Sequence, residues 1–237
     1  MTRRRWIADA WTGTTASLTG EQAAHLARVL RTERGQVFDV VAGGHLHRAE
    51  ISSVADAEVV FDLHEELSAN PALPLTLLLS VFKFDRMEWA IEKVTELGVA
   101  RVVPILARRT EKHLAHAAEK RVERWRRIAR EAAQQSRRSD VPEIADPQTL
   151  KAALDTGTSA LKLLLAETEQ ENSLAKALAN LQSPGVILAI GPEGGWTQEE
   201  MALFTQSHWQ HVTLGPRILR AETAAIAAVS VVAALVG

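Results

Sequence analysis

The fold of this chain is best predicted from the segment Leu188-Ala-Ile-Gly-Pro-Glu-Gly-Gly-Trp196. It ends an apolar run, 185–190, at a dense turn signal, and Thr197-Gln-Glu-Glu200 then has the capping-box pattern that opens a helix. A buried strand is therefore predicted to lead through a glycine-rich loop into a helix N-terminus. In α/β proteins, ligands bind at junctions of this kind.

A second loop, Leu214-Gly-Pro-Arg-Ile-Leu-Arg-Ala-Glu-Thr-Ala224, follows the next short apolar stretch and again runs into a helix. Two such loops at successive strand ends predict one pocket. The glycines match neither of the common phosphate-binding patterns, and Glu193 would repel a phosphate, so a neutral or cationic ligand fits better. The alternative is structural: the glycines would form a tight turn and Glu193 would complement the dipole of the following helix.

The composition excludes several classes of protein. The 237 residues contain 46% hydrophobic and 24% charged side chains, as in an ordinary globular protein, and contain no cysteine. Thiol catalysis, disulfides and cysteine-ligated metals are therefore excluded. The eight histidines form no metal-binding motif, and the apolar stretch 224–236 is too short to cross a bilayer. We expect a cytoplasmic protein without a metal.

The near-neutral net charge of −2 hides a strongly basic segment. Residues 101–138 contain 12 Lys/Arg and 4 Asp/Glu, a difference of +8 that looks almost uncompensated. The spacing of Val122, Trp125, Ile128 or Ala129, and Ala132 predicts that these residues face the core, with arginines on the other side of a long helix. The alternative is a solvated surface, but arginine suits phosphate groups, and we favour an RNA contact.

The pattern of strands and helices predicts two domains. The first seventy residues contain a helix after Thr19-Gly-Glu-Gln22, read as a capping box, and short strands at 37–41, 45–51 and 59–63, which suggest a small barrel. After a linker at 68–74, apolar strands alternate with helices. Such alternation predicts a parallel sheet covered on both faces. The strands are predicted at 75–82, 99–106, 161–166, 186–190 and 212–214, and the main helices at 85–98 (capped by Asp85), 115–136 and 222–235.

The two C-terminal loops resemble the S-adenosylmethionine loops of the RsmE family of 16S ribosomal RNA uracil-N3 methyltransferases, members of the SPOUT superfamily. The similarity extends to Asp85-Arg-Met-Glu88, Glu92-Lys-Val-Thr-Glu-Leu-Gly98 and the basic helix, and thus covers nearly the whole chain. The chain departs from the family at Ala221, where threonine is common, at Trp196, where phenylalanine is common, and at Phe84, where glycine is common.

The resemblance implies a fold and a function. The fold is α/β: a PUA-like β-barrel RNA-binding domain over residues 1–70, and a SPOUT methyltransferase domain with a parallel sheet and a trefoil knot over 74–237. The function is methyl transfer from S-adenosylmethionine to N3 of uracil 1498 in the 16S rRNA of the small ribosomal subunit. A homodimer is also implied, and the final helix agrees, because it carries Ile226, Val229, Val232, Ala233 and Val236 with little polar surface.

The resemblance also implies the site residues. Arg220, Glu222 and Arg217 are the candidate catalytic residues, unless Arg220 and Glu222 form a structural ion pair. Gly194 is the glycine where we expect an added side chain to block the ligand. The expected cofactor-binding residues are Leu165, Ala166, Gly191, Pro192, Glu193, Gly194, Gly195, Leu214, Gly215, Ile218, Leu219, Thr223 and Ala224. The expected RNA-binding residues are Arg108, Arg109, Lys112, Arg124, Arg127, Arg130, Arg137 and Arg138.

Two other functions stay open at this stage. A SPOUT methyltransferase could act on another RNA or another base. A ribosome assembly factor could bind RNA without catalysis, but it would have no need of the two cofactor loops.

Overall fold

The computed structural model describes residues 5–154, 159–179, 181 and 184–237. These residues divide into two compact units. One unit runs up to Pro71 and includes Ala133–Asp140, and the other consists of Ala72–Ala132 and Val141–Gly237. The chain is thus mixed α/β, with one mainly antiparallel sheet and one parallel sheet.

The first unit is built on a six-stranded sheet with the order β1-β4-β5-β6-β3-β2. All of its strand pairs are antiparallel except β1–β4. A short helix, α1 (Gly20–Ala24), continues into a π-helical turn, His25–Val29. The hydrophobic core of this unit contains the fully buried side chains of Leu18, Leu26, Ile51 and Phe61. The strands are β1 (Trp6–Ile7), β2 (Ala10–Trp11), β3 (Thr15–Thr19), β4 (Val37–Ala42), β5 (His45–Val54) and β6 (Glu58–Leu67).

The predicted capping box at Thr19 is wrong in its chemistry. Thr19 does occupy the N-cap position of α1, but its side chain makes no capping hydrogen bond. Its hydroxyl instead donates to Asp9 Oδ2 at 3.2 Å, and its backbone N–H donates to the same oxygen at 2.8 Å. A carboxylate ten residues away therefore replaces the local partner that the motif suggested.

The second unit contains a seven-stranded sheet in which every strand pair is parallel. The order is β10-β8-β7-β12-β11-β13, and β9 pairs with β8. This confirms the predicted parallel sheet. The strands are β7 (Leu73–Ser80), β8 (Val99–Leu106), β9 (Glu143–Ile144), β10 (Gln148–Thr149), β11 (Leu161–Leu165), β12 (Val186–Ile190) and β13 (Gln210–Val212). The helices are α2 (Phe84–Glu96), α3 (Lys112–Ala117), α4 (Val122–Gln135), α5 (Leu150–Leu154), α6 (Leu174–Leu178), α7 (Gln198–Gln206) and α8 (Ala221–Val236).

Helices cover both faces of this sheet, as the unbroken apolar strands predict. All five residues of β12 are buried. Leu188 and Ile190 point into the cluster that holds Trp125 of α4 and Val229 of α8, whereas Ile187 lies in a second cluster with residues of α5 and α7. Because successive side chains of a strand point to opposite faces, one strand supplies both cores.

Two predicted helix boundaries are wrong. Helix α2 begins at Phe84 after Lys83, without a side-chain cap, and Asp85 lies in its first turn, where a carboxylate complements the helix dipole. The single helix predicted over 115–136 is interrupted: α3 ends at Ala117 and a 3₁₀ turn, Glu119–Arg121, precedes α4. The short elements β1, β2, β3, β9, β10 and α5 lie where the sequence pattern predicts no element.

Candidate active site

A cleft of about 830 Å³ lies beyond the carboxyl ends of three adjacent parallel strands, β12, β11 and β13. Its walls are the loops that follow these strands, together with Arg86 and Arg109 from two other elements. Every residue expected to bind the cofactor lines this cleft except Thr223, which is exposed on α8. Arg217 and Arg220 also line it, whereas Glu222 does not.

The glycine loop after β12 presents mainly backbone to the cleft. Its turn is closed by a 2.8 Å hydrogen bond from the N–H of Gly195 to the carbonyl of Pro192, and Gly195 has φ +69°. A Cβ on Gly191 would lie 3.0 Å from Trp196 Nε1. Trp196 packs edge-on against Phe204, with ring centroids 4.9 Å apart. A side chain at position 191 is therefore restricted by the adjacent indole, and one at position 195 by the backbone conformation.

The predicted capping box of α7 is confirmed. The hydroxyl of Thr197 accepts from the N–H of Glu200 at 3.3 Å, and the carboxylate of Glu200 accepts from the N–H of Thr197 at 2.9 Å. The other oxygen of this buried carboxylate accepts from the N–H of Arg108 at 2.8 Å. Glu200 thus joins the start of α7 to the turn after β8, a link that the local motif does not reveal.

The loop after β13 makes its bend at Gly215. This residue has φ +116°, and the Thr213 hydroxyl accepts from its N–H at 3.1 Å. Ile218 is 82% exposed at the cleft, so its side chain is available to a ligand. The loop ends at Arg220, which is the N-cap residue of α8.

The third wall of the cleft is the loop 166–170 after β11. Of this loop, only Ala166 was expected from the sequence to bind the cofactor. The shape of the loop is set by Glu169, whose carboxylate accepts from the N–H groups of Asn172 at 2.9 Å and Glu171 at 2.8 Å. These backbone hydrogen bonds lower the pKa of Glu169 below its ordinary value, and the bond from Asn172 has the largest effect. Because its folded pKa is depressed, this carboxylate stabilises the loop at neutral pH and stops doing so as the pH falls through that pKa. No sequence motif marks this loop.

Arg86, in the first turn of α2, pairs with two carboxylates at the cleft. Its Nη1 lies 2.9 Å from Glu193 Oε1, and its Nε lies 3.8 Å from Glu222 Oε1. Glu222 is only 5% exposed, and its Oε2 has no hydrogen-bond partner in the described part of the chain. The alternative of an Arg220–Glu222 ion pair is wrong, because the cation beside Glu222 is Arg86. Arg220 is exposed, and no ion pair of Arg220 occurs among the described residues.

The basic helix buries Val122, Trp125, Ala129 and Ala132, as predicted. Its positive charge, however, is partly compensated by carboxylates from elsewhere in the chain. Arg124 Nε donates to Glu88 Oε1 at 2.8 Å, and this hydrogen bond raises the pKa of Arg124. Arg126 pairs with Glu123 at 2.6 Å and with Asp146 at 3.0 Å. Arg127 is exposed.

Two arginines expected to bind RNA are placed differently. Arg109 lines the cleft, and its Nη1 donates to the carbonyl of Gly194 at 2.5 Å. Arg138, in the first unit, is 9% exposed and pairs with Asp140, so its guanidinium is not presented to a phosphate. Arg108, Lys112 and Arg137 are exposed, and Arg130 is half-buried on α4.

Residues 5–154, 159–179, 181 and 184–237 contain no cluster suited to a metal ion and no membrane-spanning helix. Within them, no cluster of three or more His, Asp or Glu side chains is arranged to hold a metal ion. No helix within the same ranges is long and apolar enough to span a bilayer.

Comparison with known proteins identifies the family. Residues 69–233 match the family model described as an RNA methyltransferase domain. The chain is 37% identical over 227 residues to ribosomal RNA small subunit methyltransferase E of Synechocystis, covering 93% of this chain and 73% of that protein. It is 34% identical to the protein of the same name from Bacillus subtilis, covering 92% and 89%.

Two solved structures are similar over almost their whole length. One is ribosomal RNA small subunit methyltransferase E from Neisseria gonorrhoeae bound to S-adenosyl methionine, with a TM-score of 0.83, 28% identity, and coverage of 96% of this chain and 95% of that one. The other is a putative methyltransferase from Legionella pneumophila with bound SAM, with a TM-score of 0.83, 31% identity, and coverage of 98% and 96%. This chain therefore belongs to the ribosomal RNA small subunit methyltransferase E family.

Proposed function

We propose that this protein transfers a methyl group from S-adenosylmethionine to N3 of uracil 1498 in the 16S rRNA of the small ribosomal subunit. The observation that carries the proposal is the cleft at the ends of β12, β11 and β13, because it brings both characteristic loops together with the exposed Arg220. The family's small-subunit rRNA methyltransferases and the SAM-bound similar structures support it.

The cleft suits S-adenosylmethionine in size and chemistry. Its volume of about 830 Å³ is within the range of ligand pockets. Leu165, Leu214 and Leu219 offer apolar contacts for an adenine ring. Glu167 places negative charge beside a cationic ligand, whereas the charge of Glu193 is paired with Arg86. The glycine loop can bring backbone close to the ligand, because three of the five residues 191–195 have no side chain. S-adenosylmethionine, when bound, supplies an activated methyl group on a positively charged sulfur.

The target atom sets the task of the protein side chains. N3 of uracil carries a proton and lies between two carbonyls on the Watson–Crick edge, so the base must be unpaired or splayed out. As N3 takes the methyl group from sulfur, its proton passes to solvent, and negative charge develops on O2 and O4. Arg220 is exposed at the cleft, where it would stabilise this charge, and Arg217 lies three residues before it. Glu222 is buried beside Arg86, which favours a role in orienting an arginine over direct proton transfer.

We also propose the finer organisation that the family resemblance implies. Residues 1–70 would form a PUA-like RNA-binding domain, and residues 74–237 a SPOUT methyltransferase domain with a trefoil knot. The small mainly antiparallel sheet and the all-parallel sheet support this division. The protein would act in the cytoplasm, where its 16S rRNA substrate is found.

Mass spectrometry of 16S rRNA tests the proposed function. rRNA from a strain without this protein should lack one methyl group at uracil 1498, and the purified protein with S-adenosylmethionine should restore it. A missing methyl group at another base or in another RNA would favour a different target. No missing methyl group, together with no S-adenosylmethionine binding, would favour a non-catalytic assembly factor.

RNA affinity should fall steeply with salt if the basic surface contacts phosphates. We define this surface as Arg108, Lys112, Arg124, Arg127 and Arg130. Changing Arg124, Arg127 and Arg130 to Ala should flatten the log–log salt slope by roughly 0.7–0.9 for each phosphate that is no longer neutralised. Arg126→Ala is the control, because Arg126 is held by two carboxylates, Glu123 and Asp146, whereas Arg127 in the triple variant is exposed and Arg124 is paired with Glu88. Unchanged affinity and slope in the triple variant would make this helix face a solvated surface only.

We propose a homodimer that uses the outer face of α8. Val229 and Val232, two of the apolar residues of the final helix that suggested a dimer, are fully buried within the chain and are not available to a partner. Ile226, Ala233 and Val236 are half-buried, and Leu235 is 54% exposed. Light scattering at micromolar concentration should give twice the mass of one chain, and Leu235→Glu should reduce it. A monomeric wild-type protein would contradict the proposal.

A further inference from the structure

We propose that Arg86 is a positioning residue for methyl transfer, because its guanidinium holds the glycine loop and the start of α8 at a fixed separation. This inference rests on the proposed function and adds a residue from α2, outside both cofactor loops. Its basis is the paired contact of Arg86 with Glu193 of the glycine loop, at 2.9 Å, and Glu222 of α8, at 3.8 Å.

Arg86 belongs to a helix that is firmly packed in the core. It lies in the first turn of α2, and the next residue, Met87, is fully buried, as are Ala90 and Ile91. The buried side of α2 packs in the same core cluster as α8. A guanidinium held from such a helix can fix the position of a loop, since the helix itself does not move with the loop.

Glu222 gives Arg86 its second anchor. The carboxylate is 6% exposed, with one oxygen near Arg86 and the other without a hydrogen-bond partner among the described residues. A buried carboxylate needs a nearby cation, and Arg86 supplies it. Because Glu222 does not line the cleft and Arg86 does, Glu222 influences the reaction through Arg86.

The two contacts of Arg86 also affect the position of the groups that would take part in methyl transfer. Arg220 is the N-cap of α8, two residues before Glu222, so the link from Arg86 to Glu222 also fixes the point from which Arg220 projects. The link from Arg86 to Glu193 fixes the glycine loop against which the cofactor would lie. Loss of Arg86 therefore disturbs both the binding of the methyl donor and the alignment of the base, and a displacement of about 1 Å can cost a hundredfold in rate.

The experiment compares Arg86→Ala and Arg86→Lys with Arg101→Ala. Arg101 is a matched control, because it is 40% exposed, against 30% for Arg86, and pairs with Glu143 away from the cleft. We expect Arg86→Ala to raise KM for S-adenosylmethionine and to lower kcat, each by about tenfold. Arg86→Lys should recover only part of both, because a lysine cannot fork between two carboxylates. Arg101→Ala should leave both within about twofold of wild type.

A second variant guards against misfolding of Arg86→Ala. Glu193→Gln removes the shorter contact without leaving a buried charge, and should give the same kinetic pattern at an unchanged melting temperature. Combined with Arg86→Ala, its effect should be clearly less than additive, since both changes break the same ion pair. Additive effects, or wild-type KM and kcat in Arg86→Ala, would overturn the positioning role while methylation by the wild-type protein left the proposed function standing. If the wild-type protein did not methylate RNA, the proposed function would fail, and calorimetry with S-adenosylmethionine on the same variants would still decide whether Arg86 holds the loop.

Discussion

Arg220→Ala should slow methyl transfer by about a hundredfold or more, the scale expected when a charge-stabilising group at the reacting atoms is removed. The residue is exposed at the cleft and forms no ion pair in the part of the chain that the structure describes, so its truncation breaks no visible contact that supports the fold. Affinity for S-adenosylmethionine should change far less, because the backbone of the second loop would still form the pocket.

The same measurements on Glu222→Ala should give a different pattern. We expect a smaller loss of activity, about tenfold as for Arg86→Ala, with weaker cofactor binding alongside it, because Glu222 is buried and paired with Arg86. Single-turnover methylation, calorimetry and thermal melting on both variants separate the two roles. If Arg220→Ala melted several degrees lower and lost cofactor binding in parallel with activity, Arg220 would be structural. The catalytic role would then move to Arg217, to Glu193 or to the RNA itself.

The parts of this fold that the sequence predicts well are those decided by local patterns. The strands at 99–106 and 186–190 have their predicted bounds, because both are apolar runs ended by turn signals. The capping box at Thr197 forms as expected, since both of its hydrogen bonds join residues three apart. The two cofactor loops meet at one cleft because parallel strands bring their carboxyl ends to one edge of the sheet.

The parts that the sequence does not predict depend on partners distant along the chain. Arg86 and Glu193 are 107 positions apart, and no local signal marks them as a pair. The basic helix looked uncompensated for the same reason, because Glu88 and Asp146, which neutralise Arg124 and Arg126, lie outside it. The short strands β9 and β10 contain two residues each, too few for a periodic pattern.

The structure indicates a different glycine from the expected one as the position most sensitive to an added side chain. Gly194 was expected to be the critical position, but its φ is not positive, and an added Cβ would make an ordinary 3.4 Å contact with the flexible side chain of Arg109. At Gly191, the added Cβ would meet three ring atoms of Trp196 at 3.0–3.3 Å. The steric restriction therefore lies at the first glycine of the loop.

Gly191→Val should reduce the affinity for S-adenosylmethionine by roughly 10- to 100-fold, which corresponds to the overpacking cost of about 1–3 kcal/mol seen in tight interiors. The indole of Trp196 cannot move aside easily, because it packs against Phe204, which is fully buried and also contacts Trp209. Because Gly191 and Trp196 both line the cleft, a shift of either residue to relieve the clash changes the surface against which the ligand would lie. Calorimetry with S-adenosylmethionine measures the loss directly.

Gly194→Ala is the matched control for this prediction, because it adds a side chain further along in the same loop. Its affinity should stay within about threefold of wild type, since the new methyl group makes only a normal van der Waals contact. The reverse order, with Gly191→Val binding normally and Gly194→Ala failing to bind, would mean that the ligand approaches the loop from the side of Arg109. The proposed cofactor site would then lie outside the cleft between the two loops. The roles proposed for Arg220 and Arg86 would no longer hold.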